Sequence, residues 1–210
     1  MRNDLLEQIV IASGGTVTNK DDRNALLRDW LAALESPQIE VARLDGATKY
    51  WVFDEPITFN SGDILQLSFI GATVSGTYRG FIASTNVNLR ISSGGNPQIF
   101  DIASVSNPKV NGENIVNNVT AIPATGENVI EFSSFSNFSF KGIGARVALD
   151  GSAILHINLA LYNFKVIRNG TVINEIPLTN KSQGATQLAT IGGINASMIN
   201  YTGDEWGPLP

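Results

Sequence analysis

Two adjacent pairs of carboxylates, Asp54-Glu55 and Asp204-Glu205, are the residue types in this chain best suited to acid–base chemistry. A glycosidase needs two carboxyl groups about 5 to 9.5 Å apart across the scissile bond. Neighbours on a strand point to opposite faces, so neither pair meets that need alone. One carboxylate from each pair could serve if the fold joined the two regions, but nothing in the sequence demands it. The single histidine, His156, alternates with apolar residues. It reads as a hydrogen-bonded or partly exposed strand residue rather than a general base. One His and no Cys exclude thiol catalysis, Cys-type zinc and multi-histidine metal sites. Gly151-Ser152-Ala153 lacks the second glycine of a nucleophile elbow. There is no phosphate loop with a lysine and no dinucleotide fingerprint. Asp45-Gly46 and Asn60-Ser61-Gly62-Asp63 are oxygen-rich, but turn chemistry explains them as well as calcium does. The expectation is no catalytic residue, no metal ligand and no cofactor.

Any site must then be built from surfaces, and composition narrows their kind. The 210 residues carry 14 basic and 19 acidic side chains, a net charge of −5. That balance argues against nucleic-acid binding, which rests on neutralising phosphates. Acidic residues follow the start, where a signal peptide would be basic, and Ile9-Val10-Ile11-Ala12 is far too short to span a bilayer. No secretory leader and no membrane insertion are expected. Residues 1–55 hold 16 of the 33 charges, which marks a boundary in organisation.

The charged part reads as helix. One helix is expected from about Asp4 to Ser13, capped by Asn3 or Asp4 and stopped by Gly14-Gly15. Its stripe is Leu5, Leu6, Ile9 and Val10. A second is expected from Asp22 to Glu35, capped by Asp21 or Asp22, with Leu26, Leu27, Trp30, Leu31 and Leu34 on one side and Pro37 beyond its end. Helices this short are marginal alone, so the stripes must bury against something. The occupant is either the chain's own β domain or another subunit or protein. The docking candidates are Leu5, Leu6, Ile9, Leu26, Leu27, Trp30, Leu31 and Leu34.

From Ile39 onward the period is two, broken by turn signals every 8–12 residues or so, the pattern of a sandwich or barrel. Strands are expected around Tyr50–Phe53, Pro56–Phe59, Leu65–Phe69, Tyr78–Ala83, Val87–Ile91, Val129–Phe132 and Phe138–Phe140. Ser92–Pro97 reads as a loop, and Asn111-Gly112 and Thr125-Gly126 as further breaks. The clearest alternation sets Leu155, Ile157, Leu159 and Leu161 against His156, Asn158, Ala160 and Tyr162. Asn169-Gly170, between apolar strands, predicts a hairpin with a type I′ turn. The domains are expected at 1–38 and 39–210.

Two stretches resemble known families. Phe164–Asn180 continues through Gly184-Ala185-Thr186-Gln187-Leu188 and Gly192-Gly193-Ile194-Asn195-Ala196-Ser197-Met198 to Trp206. With Ile57-Thr58-Phe59, Gly62-Asp63 and Leu65-Gln66-Leu67, this resembles a laminin-G-like (concanavalin-A-like) sandwich over roughly residues 45–207. The resemblance implies a mainly β fold, an antiparallel β-sandwich of the concanavalin-like jelly-roll type, carrying here a short N-terminal α-helical hairpin. The calcium site of many such domains has no residue-by-residue match and is not carried over. Met1–Leu6, Ser13–Val17 and Asp22–Leu31 resemble the helical N-terminal segment of some tailed-bacteriophage virion proteins, which attaches a β-rich outer domain to the particle.

Together these imply a structural virion protein of a bacteriophage tail, fibre or head decoration. It would dock through its helices onto other virion proteins, with a trimer as the first expectation for a homo-oligomer. Its display domain would decorate the particle or contact host-surface glycans. A free carbohydrate-binding module and a glycan-cleaving hydrolase are the alternatives.

Overall fold

The structure, a computed structural model, describes residues 3–35, 39–70, 79–83, 88–92, 98–100, 105–116, 123, 126–134 and 137–209. Tyr78, Val87, Thr125, the Ser36-Pro37 helix stop and most of the Ser92–Pro97 loop lie outside them. The chain divides into two compact units, Met1–Gln38 and Ile39–Pro210. It is mainly β, with two α-helices and with sheets that are antiparallel apart from one parallel strand pair.

The first unit holds α1 (Asn3–Ala12) and α2 (Arg23–Glu35). α1 already includes Asn3 and Asp4, which were expected to cap it, and the Asn3 side chain instead donates to the Asp21 carbonyl at 3.2 Å. Its end is as expected: Gly14 takes a φ of +76°, and the Gly15 amide donates to the Val10 carbonyl at 2.9 Å. α2 starts on Asp22, whose carboxylate accepts from the Asn24 amide at 2.9 Å. The connection is pinned by Asp29, which accepts from the Thr18 amide at 2.8 Å and from the Thr18 hydroxyl.

The second unit begins with β1 (Glu40–Ala42), β2 (Trp51–Phe59), β3 (Ile64–Ile70), β4 (Arg79–Ala83), β5 (Asn88–Ser92) and β6 (Gln98–Phe100). It continues with β7 (Val105–Val110), β8 (Glu113–Asn114), β9 (Glu127–Ser134), β10 (Phe138–Ile143), β11 (Ala145–Val147) and β12 (Ala153–Ile154). Last come β13 (Ala160–Arg168), β14 (Thr171–Ile176), β15 (Thr186–Gln187), β16 (Ala196–Met198) and β17 (Trp206–Pro208).

A six-stranded sheet has the order β14-β13-β3-β9-β7-β8, and a four-stranded sheet the order β10-β2-β16-β15. A five-stranded sheet runs β12-β11-β4-β5-β6, and β1 pairs with β17. One apolar core takes side chains from both the six- and the four-stranded sheet. Phe53 of β2 meets Phe164 of β13 at 5.2 Å between ring centroids, and Phe59 of β2 meets Phe132 of β9 at 6.1 Å. Tilted pairs at such distances add to the burial of the rings themselves. The expected hairpin at Asn169-Gly170 joins β13 to β14, with φ of +49° and +77° at the two turn residues.

Two strand expectations are corrected. The segments Trp51–Phe53 and Pro56–Phe59 belong to one strand, β2, and Tyr50 precedes it. Pro56 is tolerated there because the ladder with β10 jumps from Ile57 to Val52, leaving the residues between them unpaired on that side. The alternation from Leu155 to Tyr162 is not one strand; β13 starts only at Ala160. Before it, the Leu155 carbonyl accepts from Gly80, the Ile157 amide donates to Gly144, and the Leu159 carbonyl accepts from Leu44. These bonds go to three different segments, so no ladder forms, although Ile157, Leu159 and Leu161 are buried as expected. Ala160 and Tyr162, expected on the polar-facing side, are also buried. Arg43 bridges Ala160 at this end of β13, and a bulge follows Tyr162.

Candidate functional site

The eight docking candidates divide three ways. Leu6 and Leu26 are buried and, with Val10, form the hairpin's own core. Ile9, Leu27 and Trp30 are half-buried, Leu27 and Trp30 packing against that core. Leu5 and Leu31 stay outside, 48% and 53% exposed, joined by Ile11 at 61%. The side chain of Leu34 lies outside the described residues. Each stripe is therefore wider than the seam that closes the hairpin. Helical spacing exposed the stripes in the sequence, but it could not say which members face the partner helix. Ile11 was missed because it sits inside the apolar run Ile9–Ala12 but off the spacing of the stripe.

One carboxylate of each pair is held by structural contacts. Glu205 is buried, its side chain 1% exposed, and its Oε1 lies 2.5 Å from Lys49 Nζ. It also accepts from the Thr202 and Gly203 amides, each at 2.8 Å. Burial alone would raise this carboxyl, but the Lys49 ammonium and the Thr202 amide bring it down to about 2. Asp54 accepts from the amide and side-chain nitrogen of Asn195 at 3.1 and 3.0 Å. Both residues clasp the C-terminal loops to the early strands. His156 is half-buried outside any strand, its ring centroid 5.3 Å from that of Tyr50.

Turn residues are likewise engaged. Asp45 accepts from the Ala47, Thr48 and Lys49 amides at 2.8–2.9 Å, which holds its carboxyl below the usual range against the opposing effect of burial. Asp63 takes a bidentate contact from Arg168, at 2.9 Å to Nε and 2.7 Å to Nη2, and that guanidinium lowers its carboxyl. Among the described residues no group of three or more His, Asp or Glu side chains is placed to hold a metal ion. No helix among them is long and apolar enough to cross a membrane.

The outer face of the six-stranded sheet carries a feature the sequence did not reveal. Strand registers place Asn114, Lys109, Glu131, Gln66, Lys165 and Glu175 in one row, one residue from each strand. Lys109 Nζ lies 3.9 Å from Glu131, Gln66 donates to Glu131 at 3.3 Å, and Lys165 Nζ lies 2.9 Å from Glu175. The Lys165 ammonium, outweighing burial, holds the Glu175 carboxyl below its ordinary value. Two cations alternate with two anions, so the row is neutral.

At the β7–β8 end of this row lies a depression of about 240 Å³. A bulge opens it: β7 pairs Ser106 with Ser133 and Lys109 with Glu131, so Asn107 and Pro108 together oppose Phe132. Asn107 is exposed with a φ of +49°, and its Pro108 neighbour's carbonyl accepts from Ile115 at 2.8 Å.

No protein-family model, no curated protein and no solved structure matches the chain.

Proposed function

We propose that the protein is a non-enzymatic structural component of a bacteriophage virion, in the tail, fibre or head decoration. In this reading α1 and α2 dock onto other virion proteins, and the β unit is displayed as a concanavalin-like jelly-roll sandwich.

The observation that carries the docking half is the mismatch within the hairpin. Its own core is Leu6, Val10 and Leu26, while Leu5, Ile11 and Leu31 remain about half exposed or more. The hairpin closes on that small core by itself, and the three exposed side chains are the apolar surface a partner would cover. The ring contacts between the six- and four-stranded sheets support the sandwich. The structural engagement of Asp54 and Glu205 supports a body without catalysis. A homo-oligomer, a trimer in the first instance, lets weak single contacts with host-surface glycans add through avidity.

The test uses the full chain and its Leu5→Ser/Leu31→Ser variant. The wild type should sediment as a multiple of 22.5 kDa and co-purify with virus particles when expressed from its native locus. The variant should keep its helicity and lose both properties. A wild-type monomer absent from particles overturns the reading.

A further inference from the structure

We infer that the depression beside the β7 bulge is a binding subsite for a neutral, polyhydroxylated ligand the size of one sugar ring. This deepens the glycan-contact part of the proposed function and rests on it.

The chemistry of the lining sets the ligand class. Polar residues dominate it: Asn107, Asn114, Lys109, Glu131 and Ser133, with Ile64 and Phe132 beside them, the Ser133 hydroxyl being already bonded to Ser106. A sugar hydroxyl both donates and accepts, so it can satisfy such a mixture, whereas an apolar group cannot. The Lys109–Glu131 pair leaves the site without net charge. An anion would face Glu131 and a cation would face Lys109, so a neutral ligand is favoured over either. The volume of about 240 Å³ lies below the roughly 300–1,000 Å³ of drug-sized sites, which suits a single ring.

The bulge shapes the depression: Asn107 takes a left-handed φ, which asparagine adopts more readily than other non-glycine residues, and it directly precedes Pro108. Bulges of this kind re-aim side chains and gather near sites. The aromatic residue of the lining, Phe132, is buried in the core with its ring unavailable for stacking. Recognition therefore rests on hydrogen bonds in competition with water, which makes each site weak and dependent on multiple copies.

The experiment is a titration of the full chain, followed by backbone-amide NMR, with methyl glycosides of glucose, galactose, mannose and N-acetylglucosamine. Glycerol serves as a plain polyol, and sulfated glucose and glucosamine as charged controls. At least one neutral glycoside should shift the amides of Asn107, Lys109, Asn114 and Ser133 in the millimolar range, and glycerol and the charged sugars should not. Asn107→Gly removes the amide while accepting the same φ, so the sheet should persist and affinity should fall about tenfold. Asn114→Ala, on the exposed end of the row, should do the same.

Shifts confined to another part of the chain overturn this site and leave glycan contact standing. Equal response to glycerol overturns the sugar class. No response to any glycoside overturns the site, and the docking test on Leu5 and Leu31 stands apart from all three results.

Discussion

Lys49, in the loop before β2, and Glu205, at the far end of the chain, form a buried ion pair that anchors the C-terminal segment to the early strands. The Glu205 carboxyl titrates at about 2 in the folded chain against an ordinary value of 4.5. Its stabilising contribution is complete above pH 4.5 and is lost as pH falls through 2, because only the unfolded chain binds the proton readily in that window. The difference corresponds to about 3 kcal/mol. Glu205→Gln should therefore lower stability near neutral pH by about that amount and flatten the acid limb between pH 4.5 and 2. Urea unfolding of both proteins at several pH values checks it; parallel acid limbs would sink the assignment.

Gly142 sits where β10 is out of step with β2. A Cβ there would collide with the Trp51 carbonyl oxygen, and it would also press on the Val147 side chain. Its φ is not in the left-handed region, so the prediction rests on space alone. Gly142→Ala should cost about 1–3 kcal/mol, the range for overpacking in a close-packed interior. Gly62→Ala makes the contrast: a Cβ there meets nothing, and any cost comes from its φ of +87°. Thermal unfolding distinguishes the two, since relief by Val147→Ala should recover only part of the Gly142 loss while the Trp51 carbonyl stays in place.

The hairpin gives a paired prediction. Leu26→Ala removes one of three buried core side chains and should cost about 2–5 kcal/mol, enough to abolish the helical signal of residues 3–35. Leu31→Ser changes an exposed position and should alter stability by less than about 0.5 kcal/mol. Circular dichroism of the full chain reads both. Equal helix loss in the two variants would mean that Leu31 belongs to the hairpin's closure and not to a docking face.

Much of this architecture was legible because it is local. The Asp22 cap, the Gly14 stop and the Asn169-Gly170 turn depend on a few consecutive residues, and each has a backbone reason to occur where it does. The run from Leu155 to Leu159 misled because alternation reports burial, not pairing. Its inward residues are buried, yet its backbone bonds are shared among Gly80, Gly144 and Leu44. The polar row was invisible for a different reason. Gln66, Lys109, Glu131, Lys165 and Glu175 are neighbours only once strand order and register are fixed, and period-two patterning fixes neither between distant strands. The depression beside Asn107 needs a bulge as well, and an Asn-Pro dipeptide is compatible with many turns besides a bulge.

Asp54 carries the last prediction, which separates a structural carboxylate from a catalytic one. Its Oδ1 accepts from the Glu55 and Asn195 amides and its Oδ2 from the Asn195 side chain, so both oxygens are committed to the protein. A catalytic carboxylate must instead offer an oxygen to the substrate. Asp54→Ala should release the loop around Asn195 and cost about 1 kcal/mol, the net worth of a typical hydrogen bond or slightly more. Faster amide exchange from Ala189 to Asn195 should accompany it, because the Ala189 amide donates to the same Asn195 side chain at 3.0 Å. Neither the wild type nor this variant should release reducing sugar from polysaccharide. Release by the wild type that vanishes in Asp54→Ala, with exchange unchanged, would establish the hydrolase instead.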